Sequence, residues 1–305
     1  MLPRRSARLS KRRVEVVTTR VVVTGGAGRI GTWLVKELQD DYEVVIFDRT
    51  RPQERLKARV VIGDHADLGQ LCEVCAGAGA ILHLSAIPGL GPQTDAVIFQ
   101  TNVLGTYAVH QAAALLGIDT VVSTSSQSAY GWAWGKRDFL PRYLPVDEAH
   151  PDEPDEAYGL SKVVGEQIAW SFHRKTGMRT VVLRPPMVLM PGAYARVLQA
   201  SDDGRSASRR WRDTLFSYVD ARDLARAFRL ALERREVVCD SFNVAADDAL
   251  AEEPLSELLP RLDPRLAEMA ANLSDNQPMV SNAKIKRLLG WAPQHSWQDE
   301  EPRGV

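Results

Sequence analysis

Tyr158 and Lys162 lie four residues apart in the stretch AYGLSKVVGEQI. In a helix, positions i and i+4 share one face, so the lysine ammonium can lie close to the phenol. A phenol of pKa about 10 is a poor base at neutral pH, and a neighbouring cation favours its ionised form. The spacing therefore indicates a candidate acid/base pair, and Ser126, in the hydroxyl run STSSQSAYG, is placed to hydrogen-bond the same reacting oxygen. A surface pair on an amphipathic helix is the alternative, so the interpretation depends on the elements around it.

A glycine-rich loop near the start of the chain predicts a phosphate site. VVVTGGAGRIGTWLVKEL reads as strand, glycines and helix. Gly25 permits the tight turn, Gly28 lets a pyrophosphate approach the backbone, and Gly31 lets the helix pack against the strand. Arg29 and Ile30 begin that helix, whose free N–H groups and positive end favour phosphate. We therefore expect a bound dinucleotide.

An acidic residue ends the second predicted strand about twenty residues further on. Asp48 in VVIFDRT can accept both ribose hydroxyls of NAD and would repel a 2′-phosphate. Arg49 and Arg51 supply the guanidinium groups that NADP binding requires. NAD is the expected cofactor and NADP the alternative. A bound nicotinamide would take the hydride that leaves the alcohol as Tyr158 takes its proton.

The next two predicted strands bring further side chains to the same edge. VIGDHAD ends a strand with Asp64 and His65, placed to meet the adenine. LHLSAIP ends another with Leu84, Ser85 and Ala86 over the dinucleotide. Open α/β sheets bind ligands at the carboxyl ends of their strands, so these residues are expected to lie together.

Alternation of apolar strands with amphipathic helices predicts the fold that must position these groups. Runs this apolar on both faces are typical of parallel strands covered by helices, which gives an α/β, Rossmann-type doubly wound sheet. We assign a basic tail to residues 1–18 and an NAD-binding domain to 19–183 and 214–247. A small substrate lobe is assigned to 184–213 and 248–299, and a tail to 300–305. Residues 248–299 are expected to form short helices, one of which ends at LLG.

Composition excludes several partners. The chain has 305 residues, 38 basic and 39 acidic, so no overall field favours nucleic acid or an anionic membrane. No apolar run is long enough to span a bilayer; the Arg-rich start fits a solvated tail or an organelle transit segment. Cys72 and Cys75 could suggest zinc, but Cys239 alone cannot complete four ligands, so both are expected to pack in a helix and no metal is expected. An odd cysteine count suits a reducing compartment, and we expect a cytoplasmic protein.

Taken in order, these motifs resemble the extended short-chain dehydrogenase/reductase family, in its NAD-dependent epimerase/dehydratase branch. The resemblance implies that Tyr158 is the acid/base, Lys162 its partner and Ser126 the alcohol-positioning hydroxyl, with Ser125 or Thr124 as alternatives. It also implies cofactor contacts for Asn102, Ser125 and Pro185, and a homodimer formed through the two long helices. The residues that carry it are TGGAGRIG, FD, GDHAD, HLSA, NVLGT, STSSQSAYG, YGLSK, LRPP, YVDARDLARA and LLGWAP, which cover residues 20 to about 293.

Two departures bear on the substrate. Dehydratases of this branch carry an Asp-Glu pair after the hydroxyl of the fifth strand; here Gln127 and Ser128 follow Ser126, so dehydration is not expected. About thirty residues separate LRPP from YVD, where sugar-nucleotide epimerases use sixty or so, and this segment resembles the compact lobe of uronate dehydrogenases.

An insert before Tyr158, YGWAWGKRDFLPRYLPVDEAHP, adds candidate substrate contacts. Trp132 and Trp134 can stack on a sugar ring, and Arg137 or Arg142 can bind a carboxylate or phosphate, although such loops also pack against their own domain. Gln127, beside the catalytic serine, is a further candidate. Arg209, Arg210 and Arg212 in SRRWRD are candidates for anion binding or a solvated face, and we select Arg212.

Three functional hypotheses follow. The first is an NAD-dependent enzyme that oxidises a secondary hydroxyl of a sugar or nucleotide-sugar and re-reduces the ketone, as a 4-epimerase does. The second is a dehydrogenase of a free sugar or uronic acid that releases NADH. The third, a catalytically silent dinucleotide-sensing protein, would have no need for Tyr158, Lys162 and Ser126.

Overall fold

The structure is a computed structural model that describes residues 19–135, 137–194, 213–274 and 276–299. The expectations for the two tails and for Arg212 concern residues outside these ranges. The main sheet has seven parallel strands in the spatial order β3-β2-β1-β4-β5-β6-β9, which confirms the doubly wound parallel sheet. Its strands are β1 (Arg20–Thr24), β2 (Glu43–Asp48), β3 (Arg59–Ile62), β4 (Ala80–His83), β5 (Thr120–Thr124), β6 (Arg179–Arg184) and β9 (Cys239–Asn243).

Helices cover both faces of this sheet, which is why its strands are apolar throughout. On one face α1 (Arg29–Leu38) packs against α5 (Ala221–Glu233), over a core that includes Leu34 and Phe228. On the other face α2 (Leu68–Cys75), α3 (Asp95–Leu116) and α4 (Ala157–Thr176) lie side by side.

The order of the strands reverses between β1 and β4. The chain moves outward from β1 to β2 and β3, returns to place β4 on the other side of β1, and continues through β5 and β6. The loops after β1 and β4 therefore leave the sheet in opposite directions, and the crevice between them is the expected ligand site of such a sheet.

A second, smaller group of elements lies beyond β6. Strand β7 (Met187–Leu189) pairs with β8 (Tyr218–Asp220) in a separate two-stranded parallel sheet, so YVD of the motif YVDARDLARA lies outside the main sheet. Three short helices follow, α6 (Leu255–Leu262), α7 (Ala267–Ala270) and α8 (Ala283–Leu289). Helix α8 ends at Gly290 with φ +67°, which confirms LLG as a helix stop. The division into two lobes stays a prediction.

The insert before α4 packs with this smaller group. Trp132 and Val146 share one apolar cluster with Leu215, Leu255 and Val280. The insert therefore adds to the core of the predicted small lobe.

The cysteines contribute to packing. Cys75 is buried and Cys72 half-buried on α2, and all three cysteines are free. Within the described ranges, no three or more His, Cys, Asp or Glu side chains are grouped so as to hold a metal ion. In the same ranges, no helix has both the length and the apolar character needed to cross a membrane.

Candidate active site

A cleft of about 440 Å³ lies at the carboxyl ends of the central strands. It is bounded by the loops that follow β1, β2 and β4, by the end of β5 and by the first turns of α4. Many predicted cofactor and catalytic residues line it: Gly25, Gly28, Arg29, Ile30, Gly31, Asp48, His65, Leu84, Ser85, Ala86, Tyr158 and Lys162.

The glycine loop has no room for side chains at two of its positions. Gly25 has φ +74°, and a Cβ atom there would lie 2.7 Å from the backbone nitrogen of Ser85. At Gly31 a Cβ atom would lie 2.1 Å from the Gly25 carbonyl oxygen. Gly28 precedes the first residue of α1, and no side chain of the described residues caps this helix. The helix start is therefore open to the phosphates of a dinucleotide.

Asp48 is held at the end of β2 by backbone donors. Its carboxylate accepts hydrogen bonds from the N–H groups of Ala27 and Thr50, each at 3.1 Å. The acid is thereby joined to the glycine loop and lines the cleft beside Arg49. This geometry fits a carboxylate that accepts hydrogen bonds from a ribose.

Asp64 does not line the described cleft, although it was predicted to meet the adenine. It accepts hydrogen bonds from the Ala66 N–H and from the Arg49 guanidinium, both at 2.9 Å. The Ala66 bond and then Arg49 hold the pKa of Asp64 below its usual value against the opposing effect of burial. His65 lines the cleft in its place, and burial lowers the His65 pKa.

Tyr158 lies in the first turn of α4, at the boundary between the cleft and the protein interior. The Glu156 carboxylate caps the helix by accepting from the N–H groups of Tyr158 at 2.6 Å and Gly159 at 2.5 Å. The Lys162 ammonium lies 5.4 Å from the centroid of the Tyr158 ring and donates to the Thr124 carbonyl at 3.0 Å. The predicted helical spacing therefore brings phenol and ammonium together.

The expected lowering of the phenol pKa is not present in the protein alone. Burial raises the pKa of Tyr158 to about 12, opposed by a hydrogen bond with Ser126 and supported by the charge of Glu156. Burial also lowers the pKa of Lys162 to about 8, opposed by the charge of Glu166. Desolvation is the largest effect on both groups, because both side chains are almost fully buried.

The three candidate hydroxyls at the end of β5 take different positions. Ser126 interacts with the Tyr158 phenol and donates to the Ser128 hydroxyl at 3.0 Å. Ser125 donates to the Glu166 carboxylate at 2.5 Å, away from the cleft. Thr124 lines the cleft and donates to a backbone carbonyl of β4 at 3.2 Å. Ser126 is therefore the hydroxyl placed beside the phenol.

Two other predicted cofactor residues support the cleft walls without lining them. The Asn102 side chain accepts from the Ile87 N–H at 2.8 Å and donates to the Ile87 carbonyl at 3.2 Å. The Pro185 carbonyl accepts from the Gln127 N–H at 3.1 Å. Asn102 thus fixes the loop after β4, and Pro185 fixes the loop after β5.

The structure gives three of the predicted substrate contacts in the insert partners within the protein itself. Trp132 is only 4% exposed and stacks on the Tyr130 ring, with centroids 4.9 Å apart, because it belongs to the apolar core. Arg137 donates to the Glu153 carbonyl at 2.7 Å, and Arg142 donates to the Glu153 carboxylate at 2.5 Å. Both arginines thus brace the insert through Glu153, and their predicted contact with substrate stays a prediction.

Gln127 is 3% exposed and does not line the described cleft. It begins the short helical turn after β5 with its side chain buried, and its predicted contact with substrate stays a prediction.

A family comparison agrees with this geometry. The model of the NAD dependent epimerase/dehydratase family matches residues 21–245. The chain belongs to this family. Within the family, a UDP-glucose 4-epimerase of Rhizobium meliloti is 28% identical over 317 residues, which cover 90% of the chain and 92% of the relative. A uronate dehydrogenase of Pseudomonas syringae is 27% identical over 54% of the chain and 58% of the relative.

A solved structure shares the fold. A short-chain dehydrogenase/reductase superfamily protein from Agrobacterium tumefaciens, solved with bound NAD, superposes with a TM-score of 0.70 at 25% identity. The alignment covers 92% of the chain and 94% of that protein. The chain is therefore an NAD-dependent enzyme of the epimerase/dehydratase family.

Several cleft residues were missed from the sequence because they are apolar or small. Each of them lies inside a quoted motif or within four residues of one, and that proximity is the signal that the sequence offers. Glu156 is also not predicted from the sequence, because a glutamate that caps a helix has no distinctive spacing to other residues. The unpredicted lining residues are Gly63, Ile87, Pro88, Thr101, Val188 and Met190.

Proposed function

We propose that the enzyme oxidises a secondary hydroxyl of a sugar or nucleotide-sugar with bound NAD and re-reduces the ketone from its other face, as a 4-epimerase does. The observation that carries this proposal is the position of Tyr158 and Lys162 in the same cleft as the glycine loop and Asp48. The UDP-glucose 4-epimerase relative, which aligns over nearly the whole chain, supports the class of substrate.

The roles of the residues follow from their positions. Tyr158 accepts the proton of the substrate hydroxyl and returns it to the oxygen in the reverse step. Ser126 holds the phenol oxygen and the substrate oxygen in line through its hydroxyl. Lys162, fixed by the Thr124 carbonyl, supplies positive charge beside the phenol and toward the ribose. Bound NAD would accept the hydride and bring the positively charged nicotinamide ring near Tyr158.

The cofactor pocket favours NAD. Asp48 is fixed beside Ala27 where a 2′-phosphate would be repelled. Arg49, the guanidinium that could bind such a phosphate, is paired with Asp64. Both features disfavour the binding of NADP, although the Arg49 guanidinium that could bind its 2′-phosphate is still present.

We further propose that residues 184–213 and 248–299, together with the insert, form the substrate side of the enzyme. Dehydration is not part of the proposal, because Gln127 and Ser128 stand after Ser126 where a dehydratase of this branch has acidic residues. The three free cysteines support a reducing compartment such as the cytoplasm.

A homodimer is the proposed assembly. Helices α3 and α4 pack side by side and expose large apolar side chains, among them Leu104 at 49%, Tyr107 at 49% and Leu160 at 44%. Apolar patches on neighbouring helices are typical of protein interfaces. Sedimentation of wild type and Leu104→Glu tests this assembly: we expect a dimer that the charge disrupts, and a monomeric wild type would contradict it.

One experiment tests the proposed chemistry. Purified protein is incubated with NAD and UDP-glucose, UDP-galactose, D-glucuronate or D-galacturonate, and NADH absorbance and product identity are followed together. We expect one sugar to be isomerised without net accumulation of NADH. Stoichiometric NADH from a free sugar or uronate would show a dehydrogenase instead, and no turnover of any sugar would contradict the proposal.

A further inference from the structure

We propose that Trp134 is the platform on which the apolar face of the substrate sugar ring stacks beside Tyr158. This inference rests on the proposed function and names a residue that determines its substrate preference. It replaces Trp132, whose indole is buried in the core.

Trp134 lies against the catalytic tyrosine. The Trp134 and Tyr158 ring centroids are 5.6 Å apart and the rings meet edge to face at 69°. The far end of the indole lies against Gly89, where an added Cβ atom would come within 2.8 Å of the Trp134 ring. Gly89 follows Pro88, which lines the cleft, so the indole bridges the loop after β4 and the start of α4.

The indole is also exposed where Trp132 is not. Trp134 is 42% exposed, whereas Trp132, two residues earlier, is 4% exposed. An exposed indole beside the acid/base offers a broad apolar surface that a ligand can cover. Sugar rings present C–H groups on one face and hydroxyls at their edge, and an indole provides the broad apolar surface that matches such a face.

The backbone that presents Trp134 is held in an unfavourable conformation. Trp134 has φ +58°, in the left-handed region that non-glycine residues rarely adopt. Such a conformation persists when surrounding contacts enforce it, and it occurs preferentially at functional sites. The enforcing contacts lie on the segment before α4: the Arg137 N–H donates to Asp155 at 3.1 Å and the Arg137 guanidinium donates to the Glu153 carbonyl at 2.7 Å.

Arg137 is consequently a positioning residue for the platform. The glycines on either side of Trp134 also fit against this segment, because a Cβ atom at Gly131 would lie 2.3 Å from the Glu153 carbonyl oxygen and one at Gly135 would lie 2.6 Å from the Asp155 carboxylate. The insert is thus shaped to keep one indole above Tyr158.

The platform acts on the sugar and not on the dinucleotide. Its removal should therefore raise the KM for the sugar and leave the Kd for NAD unchanged. A residue that merely oriented Tyr158 would instead lower kcat and leave the KM for the sugar unchanged.

The test compares Trp134→Leu and Trp134→Phe with Tyr143→Leu, an aromatic residue of the same insert that is 37% exposed. KM and kcat are measured for whichever of UDP-glucose, UDP-galactose, D-glucuronate and D-galacturonate the wild type converts, and NAD binding is measured by calorimetry on each variant. We expect KM for the sugar to rise about tenfold or more in Trp134→Leu, less in Trp134→Phe, and less than twofold in Tyr143→Leu.

Each outcome decides between the two proposals. If the wild type converts none of these sugars, the proposed function fails and the platform fails with it. If the wild type is active but KM is unchanged in Trp134→Leu, or kcat alone falls, the platform is refuted and the proposed function stands. Should Trp134→Leu lose NAD binding through misfolding, the Trp134→Phe variant decides, and an unchanged KM in it refutes the platform.

Discussion

Glu166 is the buried carboxylate whose removal should have the largest measurable effect outside the cleft. It lies one helical turn after Lys162 on α4, and its side chain is 5% exposed. It accepts two hydrogen bonds from Arg184, both at 2.7 Å, and one from Ser125 at 2.5 Å. Arg184 is 4% exposed and also pairs with Asp152 at 2.8 Å. Glu166→Gln keeps the shape of the side chain and removes its charge.

The expected cost follows from the burial of the partner. Removing one member of a buried ion pair leaves the other charge poorly compensated, which costs about 3–5 kcal/mol. Asp152 remains near Arg184, so the lower part of this range applies. At ~2–4 °C per kcal/mol, the midpoint of thermal unfolding should fall by at least 6 °C.

Glu166→Gln should also change the active site. The charge of Glu166 raises the pKa of Lys162 against the effect of burial, so without it that pKa falls below about 8. We expect the pH at which NAD affinity weakens to move downward in the variant.

Urea and thermal unfolding at pH 7 provide the assay, with Glu43→Gln as the matched control. Glu43 pairs with Arg20 at 2.9 Å, but both side chains are about a third to a half exposed. Exposed pairs contribute ~0–1 kcal/mol, so the control should be nearly neutral. The reasoning is refuted if Glu166→Gln destabilises the protein no more than Glu43→Gln does.

Three further predictions concern the cofactor site. Gly31→Ala should weaken NAD binding at least about tenfold in calorimetry, because its Cβ atom would lie 2.1 Å from a carbonyl oxygen of the loop. The control Gly165→Ala, whose Cβ atom would have its nearest neighbour at 3.6 Å, should leave NAD binding unchanged. Asp64→Asn should release Arg49 from its 2.9 Å ion pair and raise the preference for NADP over NAD about tenfold; an unchanged ratio of Kd values would contradict this. Burial lowers the pKa of Lys162 from 10.5 to about 8, so the ammonium is present below pH 8 and is lost above it. In titrations from pH 6 to 10, the affinity for NAD should therefore decrease as the pH rises through about 8. An affinity that does not change with pH would refute the role of this charge.

The sheet and most of the cofactor cleft were predictable because they depend on local pattern. Apolar runs such as VVVTG and AILHL predict buried parallel strands, and a parallel sheet brings their carboxyl ends to one edge. Gly25 and Gly31 follow the end of β1, and Asp48 ends β2, so the type and spacing of these residues alone place them in the cleft.

The substrate side was less predictable because it depends on packing between distant segments. Trp132 and Trp134 are equivalent candidates in the sequence, and only the contacts with Tyr130 and Tyr158 distinguish a core residue from an exposed one. Arg137 has the charge to bind an anion, but its partner Glu153 lies sixteen residues away in a loop of irregular structure.

The pKa of Tyr158 could not be inferred from spacing either. The distance to Lys162 follows from the helix, but the desolvation that raises the phenol pKa to about 12 depends on everything packed around α4.

The most direct test of the central claim is the rate of hydride transfer in Tyr158→Phe. This variant keeps the ring that contacts Trp134 and removes only the hydroxyl that interacts with Ser126. Measured with saturating NAD and the sugar that the wild type converts, the rate should fall about 10²–10⁴-fold while the Kd for NAD stays within twofold of wild type. A rate equal to that of the wild type would contradict the assignment of Tyr158 as the acid/base.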